Sequence, residues 1–492
     1  MEECSLEKMI TYKKVDTRSK YELFDAFLSD KGRLIYSAPF RRMQQKAQVF
    51  SLESNSAVRS RLSHSLEVAH IGSYISHAIS KKIKAEKNLN DINKSFWLEN
   101  ELSINTIVET TCLMHDIGNP PFGHFGESTI SEWFGDTDKI ISILKKAEVI
   151  SKSDNNIPYK VGIKDFTLFD GNPQALRIAT KIQGEDGLTG LNFTYTQLAA
   201  SLKYTHGGSD YKKIDNDHLS SKLGFFSTEE EIVNETNNAL GIPKNGRHPL
   251  TFIMEAADDI SYCTSDIDDG IENKVVTEFD LFKFIIDNID ESNTTDADVL
   301  NILKICKGER KNKNISIFTE FKTNLSKYLV ARAATTFYDQ FPEIMKFEFR
   351  EPLLNEKKPD DNNDILSILR LVKKFTRNKI FNHKDVELIE LSGFSILTGI
   401  LNYYTPLLEL SKDNFVALLE NQQSSASKVA ARLFRTLPSK CVNSYKASLN
   451  KNNSDKYQEW NLRCHLIIDY LSGMTDQYAL EFFQSLAGIK VK

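Results

Sequence analysis

The sequence predicts a mainly α fold, and three observations carry that expectation. Apolar residues recur at spacings of three and four in several long stretches, alternating strand-like runs are sparse, and polar Asn/Lys/Asp-rich segments separate the helical stretches. "RLSHSLEVAHIGSYISHAISKKI" places Val68, Ile71, Ile75 and Ile79 on one stripe, with Leu62 and Leu66 before it, and reads as an amphipathic helix. "NTIVETTCLMHDIG" reads as a second helix, stopped by Gly118-Asn119-Pro120-Pro121, because proline cannot continue a helix and disfavours the helical conformation before it. "HPLTFIMEAADDISYCTSDIDDGIE" is a third, opened by Pro249 and ending near Gly270. "ALLENQQSSASKVAARLFRTL" and "RCHLIIDYLSGMTDQYALEFFQSLAG" each read as one further helix. "KYTHGG" and "LGFFS" offer minor short strands at most. "KAEKNLNDINK", "DESNTTDAD", "KGERKNKN", "NEKKPDDNND" and "NKNNSDK" read as solvated loops.

Composition narrows the function classes. The 492 residues are 40% hydrophobic and 26% charged, with a net charge of −5, which fits a large-cored globular chain and not a polycation built for nucleic acid. Six scattered cysteines without a CxxC pair argue against a disulfide framework and a thiolate zinc site, and lead us to expect a reducing cytoplasm. The polar start "MEECSLEKMITYKK" has no apolar signal core, and no stretch is apolar for long enough to span a bilayer, so no membrane role is expected.

Chemistry concentrates in the first half. His64 lies within the first helix, His115 and Asp116 stand side by side at the end of the second, and Asp258 sits in the third among apolar neighbours. A divalent metal needs such nitrogen and oxygen ligands converging from rigid elements. Singly, each has a plainer reading: a hydrogen-bonded core histidine, a turn residue, half of a salt bridge. Jointly, two histidines and two aspartates on three apolar helices favour a metal site. Asp258, Tyr262 and Asp266 recur every four residues and share a face, which could also be a charged solvent face. His124 and Glu127 follow the Pro-Pro break three residues apart, so one helical turn brings them together; a histidine capping the next helix is the alternative.

The order His64, His115-Asp116, Asp258 resembles the H…HD…D signature of the HD superfamily of metal-dependent phosphohydrolases. "RRMQQKAQVF", "RSRLSHSLEVAHIG", "HDIGNPPFGHFGE", "GNPQALRI", "YTQLAASLKYT", "EAADDISYCTSDIDDGIE", "IELSGF" and "YLSGMTD" together resemble the deoxyguanosine triphosphate triphosphohydrolase family, from about Arg41 to Asp476. The resemblance implies an N-terminal segment (1–40), an HD metal-binding catalytic core (41–275), and a helical region (276–492) packed on the core and completing a base pocket. It implies water attack at the α-phosphate of dGTP, giving deoxyguanosine and triphosphate. It assigns His64, His115, Asp116 and Asp258 to one divalent metal, Mn²⁺ or Mg²⁺, and the mixed donor set suits Co²⁺ or Ni²⁺ as well. His124 and Glu127 match the catalytic pair, with Glu127 orienting His124. Asn172, Lys203, Tyr204 and Lys222 match substrate contacts around the phosphates, Gln48 and Val49 the sugar and base, and Tyr262 and Asp266 the deoxyribose. Glu390 matches the guanine reader and Phe381 its stacking partner, while Lys428, Arg432 and Arg435 stay open as late phosphate contacts. A hexamer and a single-stranded-DNA effector are implied by the resemblance alone. The competing expectations are a broader deoxynucleotide triphosphohydrolase, another HD-type phosphodiesterase, and a DNA-binding regulatory protein.

Overall fold

The computed structural model describes residues 5–14, 22–53, 55–86, 90–184, 189–309, 314–355, 364–420, 427–452 and 455–490. Among them the fold is mainly α, and extended pairing is limited to two isolated bridges, Lys14–Thr194 and Ala47–Ser60. The two expected strand segments do meet, through Gly208 N–H to Phe225 O and Gly224 N–H to His206 O, but two bonds do not make a ladder.

Eight helices that frame the site are numbered in chain order: α1 Arg61–Lys84, α2 Glu101–Met114, α3 Gly123–Gly135, α4 Gly171–Arg177, α5 Pro249–Glu272, α6 Lys384–Leu408, α7 Lys456–Ser472 and α8 Asp476–Leu486. α1 opens on a Ser60–Ser63 capping box, which satisfies two backbone donors that a helix start leaves bare. Its stripe of Val68, Ile71, Ile75 and Ile79 is buried as expected, but Leu66 is exposed and His64 takes the inward place instead. α2 stops at Met114, one turn earlier than its pattern suggests, and residues 115–118 form a turn closed by Ile117 N–H to Met114 O.

Three other expectations are corrected. The last two helical stretches are each split. Leu419 ends one helix and Lys428 begins the next, with residues 421–426 outside the described part. Gly473 ends α7, and the Thr475 hydroxyl caps α8 by accepting from Tyr478 N–H. The polar segments are loops only in part. Asp91, Asp296, Asp364 and Asp455 near their ends are N-caps whose carboxylates accept backbone N–H groups, so helix begins inside or directly after the polar run. Residues 87–89, 310–313, 356–363 and 453–454 of these segments lie outside the described residues.

α1, α2 and α5 pack mutually, and this contact positions the site. A side chain at Gly72 would put its Cβ 2.7 Å from Cys112 Sγ and 3.0 Å from Val108 Cγ1, so only glycine lets α1 and α2 approach this closely. The helix Ile317–Asp339 packs on both α1 and α5. α6 packs on α3, α8 packs on α6, and buried α7 clamps α4: Asp469 accepts from Arg177 Nε at 2.8 Å, and Arg177 also reaches Glu229 at 3.0 Å. Gly72→Leu should lower unfolding stability by about 1–3 kcal/mol in a denaturant titration through overpacking. Gly32→Ala, where nothing lies within 4 Å of the added carbon, should be neutral or stabilising in the same experiment.

Candidate metal and nucleotide site

The helix contact brings four predicted side chains together. Ligand atoms of His64, His115 and Asp116 lie within 4.8 Å of one another. Asp258 Oδ1 sits 3.4 Å from both His64 Nε2 and His115 Nε2, although Asp258 is turned partly toward Lys203, whose Nζ is 3.1 Å from its Oδ2. The two imidazoles stand edge to face at 5.5 Å between ring centres. His115 Nδ1 is 2.6 Å from Cys112 O and donates to it, which turns Nε2 into the cluster. That Nε2 is buried without a hydrogen-bond partner, an atom shaped to bind a cation. Burial alone would lower the His115 pKa, but Asp116 and Asp258 outweigh it and raise the group to about 9. Burial likewise works against ionising Asp116 and Asp258, yet the surrounding cations hold both well below the usual carboxylate range. A divalent ion would take the place of that imidazole proton, set between two carboxylates and two histidine nitrogens.

The chain then turns the corner at 115–123. A Cβ at Gly118 would lie 2.1 Å from Gly171 O, so bare backbone lets the start of α4 sit against the corner. Phe122 takes a left-handed conformation, φ 61°, rare for a bulky residue, and its N–H is held by Asp476 Oδ1 at 3.0 Å. The corner thereby delivers α3 with His124 facing the cleft, its side chain 70% exposed and so free to meet substrate. His124 Nδ1 lies 2.8 Å from Glu127 Oε2, and Glu127 Oε1 accepts Gly171 N–H at 2.8 Å. The Glu127 bond and charge raise the His124 pKa above its ordinary value. A carboxylate pinned at both oxygens fixes the ring and its tautomer.

One cleft runs past these groups in two compartments. The polar one, about 240 Å³, carries His115, Asp116, Asp258, His124 and Glu127 together with the predicted Gln48, Asn172, Lys203, Tyr204, Lys222 and Tyr262. The second, about 150 Å³ and more apolar, shares Gln48, Arg61, His124 and Tyr262 with the first and adds Val49, Phe381 and Glu390. Phe381 and Tyr262 rings lie 6.1 Å apart. Burial and Glu387 raise the Glu390 pKa, and its carboxyl has no hydrogen-bond or ion-pair partner among the described residues. Lys222 Nζ and Asn172 Nδ2 are both held at 2.6 Å by Asp170, the N-cap of α4. One predicted contact, Asp266, and the three open candidates for late phosphate contacts are not brought to the wall. Asp266 is fully buried under Tyr262 with neither oxygen in a hydrogen bond of normal geometry, and burial with the neighbouring Asp269 pushes its pKa well above the usual carboxylate range. Lys428, Arg432 and Arg435 line neither compartment.

The chain matches the HD domain profile over residues 61–157 and that of the phosphohydrolase-associated domain over residues 416–485. It is 35% identical to a protein named deoxyguanosinetriphosphate triphosphohydrolase from Yersinia enterocolitica serotype O:8 / biotype 1B, over 95% of this chain and 94% of that protein. Proteins of the same name from Klebsiella pneumoniae (strain 342) and Enterobacter sp. (strain 638) are 34% and 33% identical, each covering 95% or more of both chains. The chain belongs to the deoxyguanosinetriphosphate triphosphohydrolase family.

For a member of this family the structure adds residues that sequence reasoning missed. Arg61 lines both compartments and donates to Asp116 Oδ2 at 2.7 Å, while its Nε is buried without a partner. Its signal was available: Arg61 precedes His64 by three residues on the same helix, so both face one way. Asn119, which donates to Asp116 Oδ1 at 2.9 Å, was read only as a helix breaker. Asp259 also reaches the polar compartment and pairs with Lys373 at 3.3 Å. Among the described residues no helix is long and apolar enough to cross a membrane.

Glu127→Gln removes the negative charge beside His124, so the histidine should lose its proton at lower pH. NMR titration of His124 should therefore show a fall in pKa, and any rate that needs the neutral imidazole should keep its plateau to lower pH. An unchanged His124 titration would contradict the pairing.

Proposed function

We propose that this protein hydrolyses dGTP to deoxyguanosine and triphosphate by attack of water on the α-phosphorus. The observation that carries the reading is the continuity of the cleft: metal donors and cations at one end, a single carboxylate in an apolar compartment at the other, and His124 on the wall common to both. His64, His115, Asp116 and Asp258 would hold the divalent ion, with Mn²⁺ or Mg²⁺ our expectation. When bound, such an ion polarises a phosphoryl oxygen and makes nearby water more acidic. Arg61, Lys203 and Lys222 offer positive charge to the phosphate chain, and Asn172 and Tyr204 offer neutral donors. His124 accepts the proton of the attacking water on Nε2 while Glu127 holds Nδ1–H, so the proton stays where the leaving nucleoside oxygen can take it.

Guanine presents N1–H and N2–H₂ on one edge, and an ionised Glu390 can accept both. Adenine presents an acceptor there, which would leave the carboxylate unpaired against a lone pair, a difference of about 1–3 kcal/mol. Tyr262 beside Gln48 would close the space a ribose 2′-hydroxyl needs, with Asp266 supporting Tyr262 from below; the expected direct contact of Asp266 with the sugar is replaced by this supporting role. By resemblance we extend the reading to a hexamer, a single-stranded-DNA effector and a cytoplasmic location.

Incubation of dGTP with the protein and Mn²⁺ should release triphosphate and no orthophosphate, and His124→Ala should abolish release. Glu390→Ala should lower kcat/KM for dGTP roughly ten- to a hundredfold and narrow the gap to dATP. Because the Glu390 pKa is raised and its ionised form binds guanine, KM for dGTP should climb as pH falls through that pKa, in wild type but not in Glu390→Ala. Orthophosphate as the main product, or equal turnover of dGTP, dATP, dCTP and dTTP, contradicts the reading.

A further inference from the structure

A second cavity, about 460 Å³, shares no lining residue with the catalytic cleft. It opens between Ala38–Arg42, the π-helical turn Ile178–Ile182, the start of the helix Ser439–Asn452 and the α7–α8 junction. Its wall is mostly apolar, with Ile178, Ile182, Met474 and the Tyr470 ring. Into this wall comes one guanidinium, Arg42, whose Nε is buried without a hydrogen-bond partner. Burial lowers the Arg42 pKa, as expected of a cation taken from water without a counter-charge. The acid on the same wall, Asp469, does not answer it, because both Asp469 oxygens are taken by Arg177 and one also by Gln174. A half-buried arginine with a bare Nε calls for an anion, and because Lys440 on the same wall already donates to Gln183 O at 3.3 Å, the mostly apolar surround calls for a body without further charge.

The cavity is also tied to the catalytic corner. Gly473, Met474 and Thr475 form part of its wall, and both residues flanking them are anchored there. Ser472 O accepts from Lys46 Nζ at 2.6 Å, and the same Nζ reaches Asn119 O at 2.5 Å. Asp476 takes Phe122 N–H on one oxygen and Ala47 N–H on the other, at 3.0 and 3.1 Å. Asn119 and Phe122 bracket the Pro-Pro break that aims His124, and Ala47 precedes Gln48 in the cleft wall. Any displacement of 473–475 therefore bears on both catalytic compartments.

We propose that this cavity is an effector site for a small amphiphilic anion, an apolar or aromatic body carrying one carboxylate, sulfonate or phosphate-monoester group that pairs with Arg42. Occupancy alters turnover in the catalytic cleft through the Ser472 and Asp476 anchors.

The probe is 8-anilinonaphthalene-1-sulfonate, an aromatic monoanion that fluoresces when removed from water, titrated into the full-length protein. Saturable binding at one site per chain is expected, displaced by octanoate or phenyl phosphate and not by inorganic phosphate. The more effective competitor tells a carboxylate ligand from a phosphate ester. Arg42→Met should weaken binding roughly tenfold, with dGTP turnover in the absence of probe retained. A crystal of the wild-type protein with the probe should place the sulfonate against Arg42, which decides the matter even if the variant fails to fold. Unchanged affinity in folded Arg42→Met, a probe seated elsewhere, or displacement by dGTP would overturn the site. Saturating probe should change wild-type dGTP turnover without competing with dGTP, and unchanged turnover would remove the coupling. The binding measurements need no dGTP hydrolysis, so they stand apart from the proposed reaction.

Discussion

The close approach of α1, α2 and α5 is the constraint on which everything else rests. Three helices from separate parts of the chain must come near enough for two imidazoles and two carboxylates to share one small volume. Gathering like charges in a buried place is unfavourable unless a cation answers them. Arg61 and Lys203 answer in part, each bonded to one of the two aspartates. The arrangement thus carries a standing demand for positive charge, which a divalent ion and its nucleotide would meet together.

From that centre the corner at residues 115–123 distributes the remaining roles. The helix end gives His115 and Asp116, the bare contact at Gly118 seats α4 with Asp170 and Asn172, and the left-handed turn at Phe122 starts α3 with His124 and Glu127. α4 in turn is held by buried α7 through the Arg177–Asp469 pair, and the corner by α8 through Asp476. The C-terminal helices are therefore structural partners of the site as well as suppliers of packing. The apolar compartment comes from α6 and the turn before it, which set Glu390 and Phe381 opposite Tyr262.

Much of this was legible in the sequence, for physical reasons. Helical periodicity reports burial, so the cores of α1, α2 and α5 could be read directly, and the Pro-Pro break located the corner. The residues with a distinctive type and neighbourhood, His64, the 115–116 pair, His124 and Glu127, could be read with it. Helix ends were less legible, because a cap is a single side-chain bond: Asp91, Asp296 and Thr475 start helices where polarity alone reads as loop or as unbroken helix. Leu66 shows the limit of periodicity, since its spacing fits the buried stripe while a histidine occupies the inward place. Arg61 stood among many arginines and lysines with only its spacing of three from His64 as a signal, and its 2.7 Å bond to Asp116 is what sets it apart. Asp266 shows the converse, a residue on the right helical face whose depth, invisible in sequence, places it behind Tyr262 and off the cleft wall.

Mn²⁺ bound to the crystalline protein, located by its anomalous scattering, tests the central arrangement most directly. One peak per chain is expected, within coordination distance of His64 Nε2, His115 Nε2, Asp116 and Asp258, with Asp258 drawn off Lys203 to reach it. A peak elsewhere, or an ion held by the 115–116 corner while Asp258 stays with Lys203, would contradict a four-ligand centre built by three converging helices.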